Sequence, residues 1–88
     1  MKEVKATIVN RMGMHARPAS LIVKTADRYR SRIWIRKDDL EVNGKSIMGV
    51  MMLAAEPGAT LVLRADGPDE EEALAALSQL IAEKFHED

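Results

Sequence analysis

The sequence predicts an α+β domain, an open two-layer sandwich in which three helices cover one face of a four-stranded antiparallel sheet. Four short segments alternate apolar and polar residues, as half-buried strands do. Three other segments repeat apolar residues at helical spacing, and the order is β-α-β-β-α-β-α. Strands with one apolar face need cover, and the helices are the only predicted elements that can provide it. With 88 residues, we expect a single domain over residues 1–88.

The first strand and the first helix are separated by a loop that contains Gly13. The strand has apolar residues at every second position, namely Val4, Ala6 and Ile8. Residues 10–14 break this alternation. From His15 to about Arg28 the apolar residues follow helical spacing: Ala19, Ile22, Val23 and Ala26. Pro18 falls in the first turn of this helix, where a missing N–H costs little because no acceptor lies upstream.

The middle of the chain predicts two adjacent strands. The segment 32–36 places Ile33 and Ile35 on one face and Trp34 on the other. A turn at residues 37–39 leads into a short strand that bears Leu40 and Val42. The dipeptide Asn43-Gly44 is a turn signal that ends it.

The remaining elements are a short helix, a strand and a long helix. Ser46 is a favourable N-cap for a helix from Ile47 to about Leu53. Pro57-Gly58 closes the following loop, and residues 61–65 alternate in a fourth strand. We expect the last helix to begin with Pro68 at its first helical position. Its apolar stripe comprises Ala73, Leu74, Leu77, Leu80 and Ile81.

Composition excludes several kinds of protein. The chain has no cysteine, so it has neither a disulfide framework nor a thiolate metal site. It shows no signal peptide and no apolar stretch long enough for a membrane span, so we expect a cytoplasmic protein without membrane insertion. We also expect a monomer that needs no metal and no cofactor.

Charge is distributed unevenly along the chain. Residues 1–36 hold nine Lys or Arg against two acids, whereas residues 37–88 hold four against twelve. A basic face near the N-terminal segments would suit a phosphate or an acidic partner. Nucleic acid is not expected as a partner, because the acidic half opposes it and only three residues are aromatic.

His15 is the first candidate site residue, because it stands where a loop becomes a helix. The first backbone amides of a helix have no intrahelical partner, so those of Ala16 and Arg17 can bind an anion. The Arg17 guanidinium adds a donor fork that suits phosphate oxygens. A neutral imidazole is nucleophilic and can accept and pass on a phosphoryl group. From the spacing alone, a simple helix-capping role for His15 remains the more economical interpretation.

A resemblance changes that balance. The run from Gly13 to Ala19, Gly-Met-His-Ala-Arg-Pro-Ala, is similar to the G-[LM]-H-A-R-P-A signature of HPr proteins, the histidine phosphocarriers of the bacterial phosphoenolpyruvate-dependent sugar phosphotransferase system. The similarity extends over nearly the whole chain and implies an HPr-like fold. It implies that His15 is phosphorylated on Nδ1 by enzyme I with the assistance of Arg17, and that the group then passes to an enzyme IIA. Such a chain is a relay in phosphotransfer and not a turnover enzyme by itself.

The second candidate site is the segment that begins at Ser46. Val50 and Leu53 are best explained as core residues. The other apolar side chains span more of the helix circumference than one buried face needs, and methionine suits a surface that fits several partners. We expect a partner-binding patch beside His15 formed by Met14, Ile47, Met48 and Met51.

The Ser46 segment also resembles the regulatory segment of HPr proteins from Gram-positive bacteria. That resemblance implies phosphorylation of Ser46 by an ATP-dependent HPr kinase/phosphorylase. A phosphate is well placed at a helix N-terminus, and its charge would repel an acidic partner from the patch. A plain N-cap role for Ser46 is compatible with this modification.

Two features indicate other branches of the family. The run from Gly67 to Leu77 is similar to that of the nitrogen-branch relative NPr, which exchanges phosphate with a nitrogen-type enzyme I. Ala54-Ala55-Glu56 departs from the glycine that usually follows the Ser46 helix in Gram-positive members. A nitrogen-branch regulatory phosphocarrier therefore stays an alternative. A regulatory or ligand-binding module of the same fold is another, although His15 argues against the relatives that lack the active histidine.

Overall fold

A computed structural model describes residues 1–87 and confirms the predicted order of elements. A short 3-10 turn at Lys84–His86 follows the last helix and was not expected. No helix within residues 1–87 is both long and apolar enough to cross a membrane. The elements are β1 (Lys2–Thr7), α1 (Ala16–Ala26), β2 (Arg32–Lys37), β3 (Leu40–Asn43), α2 (Ile47–Met52), β4 (Thr60–Asp66) and α3 (Glu70–Ala82).

The four strands form one antiparallel sheet in the order β1-β4-β2-β3. In the central strand β4, Leu63 pairs with Val4 of β1 and with Ile35 of β2. Ile35 in turn pairs with Val42 of β3. Because side chains alternate across a strand, this register places the four residues on the same face of the sheet.

The helices cover that face and build the core, as the sequence predicts. Helix α3 packs on β1 and β4, and α1 packs on α2 and α3. Every residue of the predicted α3 stripe is buried. In α1 the buried apolar residues include Ala19, Ile22 and Ala26. The mostly aliphatic core follows from the scarcity of aromatic residues.

The opposite face of the sheet carries Trp34, as the alternation in β2 predicts. The guanidinium of Arg64 lies 5.4 Å from the centre of the Trp34 ring. Arg64 also forms an ion pair of 2.8 Å with Glu41. Trp34 is therefore half-buried by a charged neighbour in β4 and lies on the face of the sheet that points away from the core.

The expectation for Pro68 is wrong. Helix α3 begins at Glu70 with Asp69 as its N-cap, so Pro68 lies before the helix. The Asp69 carboxylate accepts hydrogen bonds from the amides of Arg30 and Ser31, both at 2.9 Å, and from the Ser31 hydroxyl. These contacts tie Asp69 to the two residues just before β2, and the helix starts only after this anchor.

The C-terminal turn has an unusual backbone. Lys84, Phe85 and His86 adopt φ values of 59°, 56° and 62°, the left-handed region that non-glycine residues rarely enter. Phe85 is fully buried in the core. Burial of this ring holds the turn against the domain, and the turn directs Glu87 back toward α1.

Candidate functional site

His15 is the N-cap residue of α1, with φ −100° and ψ −171°. Its side chain makes no capping hydrogen bond, so the simple capping role is not what the structure shows. Within residues 1–87, the amides of Ala16 and Arg17 donate to no backbone or side-chain acceptor. The His15 ring is half-exposed beside these two free donors, at the positive end of the helix dipole.

The loop before His15 is fixed by its contacts with the segment after α2. The Met14 amide donates to the Ala55 carbonyl at 2.8 Å, and the His15 amide donates to the Gly13 carbonyl at 3.1 Å. Gly13 has φ 71°, and a Cβ there would lie 2.6 Å from the Ala55 carbonyl oxygen. Only glycine fits this close approach, which sets the position of His15 at the helix start.

Arg17 lies on the surface beside His15, with 53% of its side chain exposed. Its guanidinium donates to the Phe85 carbonyl at 3.0 Å and lies 3.4 Å from the Glu87 carboxylate. The side chain is thus held toward the C-terminal turn. Both contacts are made by Nη1, and the exposed part of the guanidinium is available to an anion on His15.

Glu87 is the site residue that sequence reasoning missed. Its two carboxylate oxygens lie 3.3 Å and 3.5 Å from His15 Nε2. The Asn10 side-chain amide donates to it at 2.7 Å. The Asn10 amide has the largest effect in holding the pKa of the Glu87 carboxyl below its usual value, with smaller contributions from His15 and Arg17. The only sequence signal was Phe85, an apolar residue in a charged tail.

Ser46 is the N-cap of α2, as predicted, and its hydroxyl accepts a hydrogen bond from the Gly49 amide at 3.1 Å. Helix α2 packs on α1. The loop that follows α2 holds Ala55, which is bonded to the loop before His15. The Ser46 segment and His15 therefore belong to neighbouring parts of one surface.

The apolar side chains of α2 divide between core and surface. Val50 and Leu53 are buried, as expected. Ile47, Met48 and Met51 are exposed, with Met48 at 74%. Three further methionines are exposed that the predicted patch did not include, Met1, Met12 and Met52.

Met14 differs from the expectation for the patch. Its side chain is only 7% exposed and packs in the core. Because this burial leaves almost no surface for a partner, the prediction that Met14 binds partners is wrong. Met14 is a core residue. Its backbone amide positions the loop before His15, as described above.

Within residues 1–87, no group of three or more His, Asp or Glu residues is arranged to hold a metal ion. The arrangement consists instead of a ring nucleophile, two free amides and a guanidinium. Those groups can receive a phosphoryl group and neutralise part of its charge.

Comparison with known proteins agrees with this chemistry. Residues 2–83 match the family model PTS-HPr, described as the PTS HPr component phosphorylation site. The phosphocarrier protein HPr of Neisseria meningitidis is 49% identical over 80 residues, which cover 91% of this chain and 90% of that protein. The phosphocarrier protein HPr of Treponema pallidum is 51% identical over 81 residues, which cover 92% of each chain.

A solved structure agrees over the whole fold. The crystal structure of HPr-C-His from Thermoanaerobacter tengcongensis has a TM-score of 0.96 and 52% sequence identity. The match covers 100% of this chain and 99% of that one. The chain belongs to the HPr family and is a phosphocarrier protein of the bacterial phosphotransferase system.

Proposed function

We propose that His15 is the residue that carries the phosphoryl group, which it accepts from enzyme I and passes to an enzyme IIA. The observation that carries this proposal is the half-exposed His15 ring at the open amino end of α1, beside Arg17. A cytoplasmic location follows from these partners. The chain acts as a covalent relay, since His15 is restored each time the group is passed on.

The residues around His15 have distinct roles in this transfer. The ring attacks the phosphorus atom as a neutral imidazole, and the bond from phosphorus to the donor breaks with its electron pair leaving on the donor. The phosphoryl oxygens are then stabilised by the free amides of Ala16 and Arg17 and by the Arg17 guanidinium. No metal or cofactor is needed on this chain for these steps.

Phosphorylation with purified enzyme I tests the proposal. Incubation with phosphoenolpyruvate and enzyme I should add one acid-labile phosphate at His15, detected by intact-protein mass spectrometry. The chain has two histidines, so His86→Ala is a matched control that should still be labelled, whereas His15→Ala should not. Label on His15→Ala, or none on the unchanged protein, would rule out His15 as the carrier.

We also propose that partners dock on the exposed residues of α2, which are Ile47, Met48 and Met51. A charged side chain in the middle of an apolar contact is costly, so Met48→Glu should raise the KM for enzyme I by about tenfold or more. Leu40→Glu is the matched control, because Leu40 is an exposed apolar residue of β3. Equal effects of the two substitutions would contradict docking at α2.

Ser46 is the proposed site of regulation by an HPr kinase/phosphorylase. Its hydroxyl caps α2 directly before the docking residues, so a phosphate there would add negative charge at the edge of the patch. Treatment with the kinase and ATP should give an acid-stable phosphate on Ser46 and a slower transfer from enzyme I. Ser46→Ala should stay unmodified and transfer normally; a labelled Ser46→Ala would place the modification elsewhere.

The nitrogen branch is the second candidate, favoured by the acidic first turn of α3 and its resemblance to NPr. A comparison of the two donors separates the two branches. Sugar-type and nitrogen-type enzyme I are each offered in turn, and the ratio of their kcat/KM values for this chain is measured. A ratio in favour of the nitrogen-type donor would assign the chain to the regulatory branch.

A further inference from the structure

We propose that Glu87 is a positioning residue that keeps the His15 proton on Nε2 and so leaves Nδ1 as the nucleophile. This inference rests on the proposed role of His15. It starts from one contact: Glu87 places both carboxylate oxygens near Nε2, at 3.3 Å and 3.5 Å. No other carboxylate within residues 1–87 forms a hydrogen bond or an ion pair with this ring.

The contact distinguishes the two nitrogens of the ring. A neutral imidazole has one N–H donor and one lone-pair acceptor, whereas an ionised carboxylate can only accept. Since Glu87 faces Nε2, the proton is favoured there and the Nδ1 lone pair stays free. The depressed pKa of Glu87 means that its carboxylate is ionised throughout the neutral range.

Asn10 fixes Glu87 in this position. It is fully buried, and its Nδ2 donates both to the Gly13 carbonyl at 2.8 Å and to Glu87 at 2.7 Å. Gly13 belongs to the loop that presents His15. One amide therefore ties the acceptor and the ring to the same loop, although Glu87 is 72 positions away from His15 in the chain.

The same contact assists the transfer itself. When Nδ1 forms its bond to phosphorus, the donor leaves with the electron pair of the broken bond, and the ring gains positive charge with its proton still on Nε2. The Glu87 carboxylate lies beside that charge as it develops. When the group leaves for the next acceptor, the Nδ1–P bond breaks, the electron pair returns to Nδ1 and the ring is neutral again.

Nitrogen-15 NMR of the histidine rings tests this role without any partner protein. In spectra recorded at about pH 8.5, well above the ordinary pKa of histidine, the Nε2 and Nδ1 shifts report which nitrogen holds the proton. Glu87→Ala should lower the ratio of the Nε2–H to the Nδ1–H form of His15 by about tenfold, as expected for loss of a charge-assisted hydrogen bond. The rate of phosphoryl acceptance should fall by at least about threefold.

Glu83→Ala is the matched control. It removes a carboxylate from the same end of the chain, but Glu83 contacts Nδ1 of His86 at 3.5 Å. It should change the His86 signals and leave those of His15 unaltered. Asn10→Ala should reproduce part of the Glu87→Ala effect on the His15 tautomer ratio. For that ratio the double variant should be no worse than Glu87→Ala alone, because Asn10 influences the ring proton through Glu87.

The outcomes separate the two proposals. An unchanged His15 tautomer ratio in Glu87→Ala would overturn the role of Glu87, even if His15 is phosphorylated normally. A wild-type protein that takes no phosphate on His15 would overturn the proposed function. In that case a shifted ratio in the NMR experiment would still establish that Glu87 holds the Nε2 proton.

Discussion

At the scale of single residues, Arg17 has one set of contacts within the folded protein and another that it would form with a phosphoryl group. In the unphosphorylated chain the guanidinium binds the Phe85 carbonyl and faces Glu87. A phosphoryl group on His15 would offer it a second, more highly charged partner. Because the side chain is largely exposed, its present contacts contribute little to stability.

Arg17→Ala should therefore slow phosphoryl transfer by about tenfold to a hundredfold, the effect of removing one charged donor from a developing anion. The free energy of unfolding should change by less than about 1 kcal/mol. Rapid-quench kinetics and urea denaturation measure the two effects. Arg28→Ala, which removes an exposed arginine just beyond α1, is the control. Equal transfer rates in the two variants would mean that Arg17 is only a surface charge.

Asp69 makes the stability of the fold depend on pH in the acidic range. The Ser31 hydroxyl and the amides of Arg30 and Ser31 lower the pKa of Asp69 to about 2. A carboxyl whose pKa is lower in the folded than in the unfolded state contributes stability that is fully present above its ordinary pKa. That contribution disappears as the pH falls from about 4 to about 2.

Asp69→Asn should remove this acid-sensitive contribution. Its urea midpoint should lie below that of the wild type at neutral pH, and the gap should narrow as the pH falls below about 4. Asp39→Asn is the control, because Asp39 is an exposed residue of the β2–β3 turn. Its urea midpoint should differ little from that of the wild type at every pH. A gap between Asp69→Asn and wild type that is constant with pH would contradict the assignment.

How much of the site could be predicted from the sequence depends on how far apart its residues lie along the chain. His15, Arg17 and the two free amides lie within three consecutive residues, so a local pattern was enough to find them. Glu87 and Asn10 reach the site only through the fold of the C-terminal turn, and no periodicity indicates which carboxylate of an acidic tail will arrive there. Burial of Met14 was missed for a similar reason, since a loop has no repeating face.

At the scale of elements, the helices and strands were predicted well because each has a clear apolar period. The start of α3 was not, because the Asp69 side chain bonds to the residues just before β2 rather than to its own helix. The turn at Lys84–His86 was also missed, since its left-handed backbone lacks the glycines that would signal it. In both cases a tertiary contact decided a local conformation.

Gly13→Ala tests the loop between β1 and α1. Its positive φ and the 2.6 Å approach to the Ala55 carbonyl make any Cβ unfavourable, so the free energy of unfolding should fall by about 2 kcal/mol or more. Gly58→Ala is the matched control. Gly58 has φ 90° with open space around it, so an alanine there would add backbone strain but no steric clash. We expect about 1 kcal/mol there. Equal losses in urea denaturation would mean that the contact with Ala55 is unimportant.

At the scale of the whole molecule, β4 holds the layers together. It lies between β1 and β2 in the sheet and also contacts α3. Leu63 is fully buried there and pairs with residues of both neighbouring strands. A domain of this size has a stability of only about 5–15 kcal/mol, so one large cavity in this strand affects the whole fold.

Leu63→Ala should cost about 2–5 kcal/mol and lower the Tm by at least about 10 °C, measured by calorimetry. Leu40→Ala is the control, since Leu40 lies in the edge strand β3 and is exposed. It should lower the Tm by a few degrees at most, roughly the effect of a surface substitution. Comparable shifts for both would show that β4 is no more important than an edge strand.

Trp34 has a practical consequence for these measurements. It is the only tryptophan, and it lies on the opposite face of the sheet from the helices, with Arg64 over its ring. Its fluorescence should change when the sheet unfolds but should not depend on whether His15 is phosphorylated. Tryptophan fluorescence can therefore follow the unfolding of the phosphorylated and the unphosphorylated protein in the same way, so that their stabilities can be compared directly. No dye has to be attached near the site.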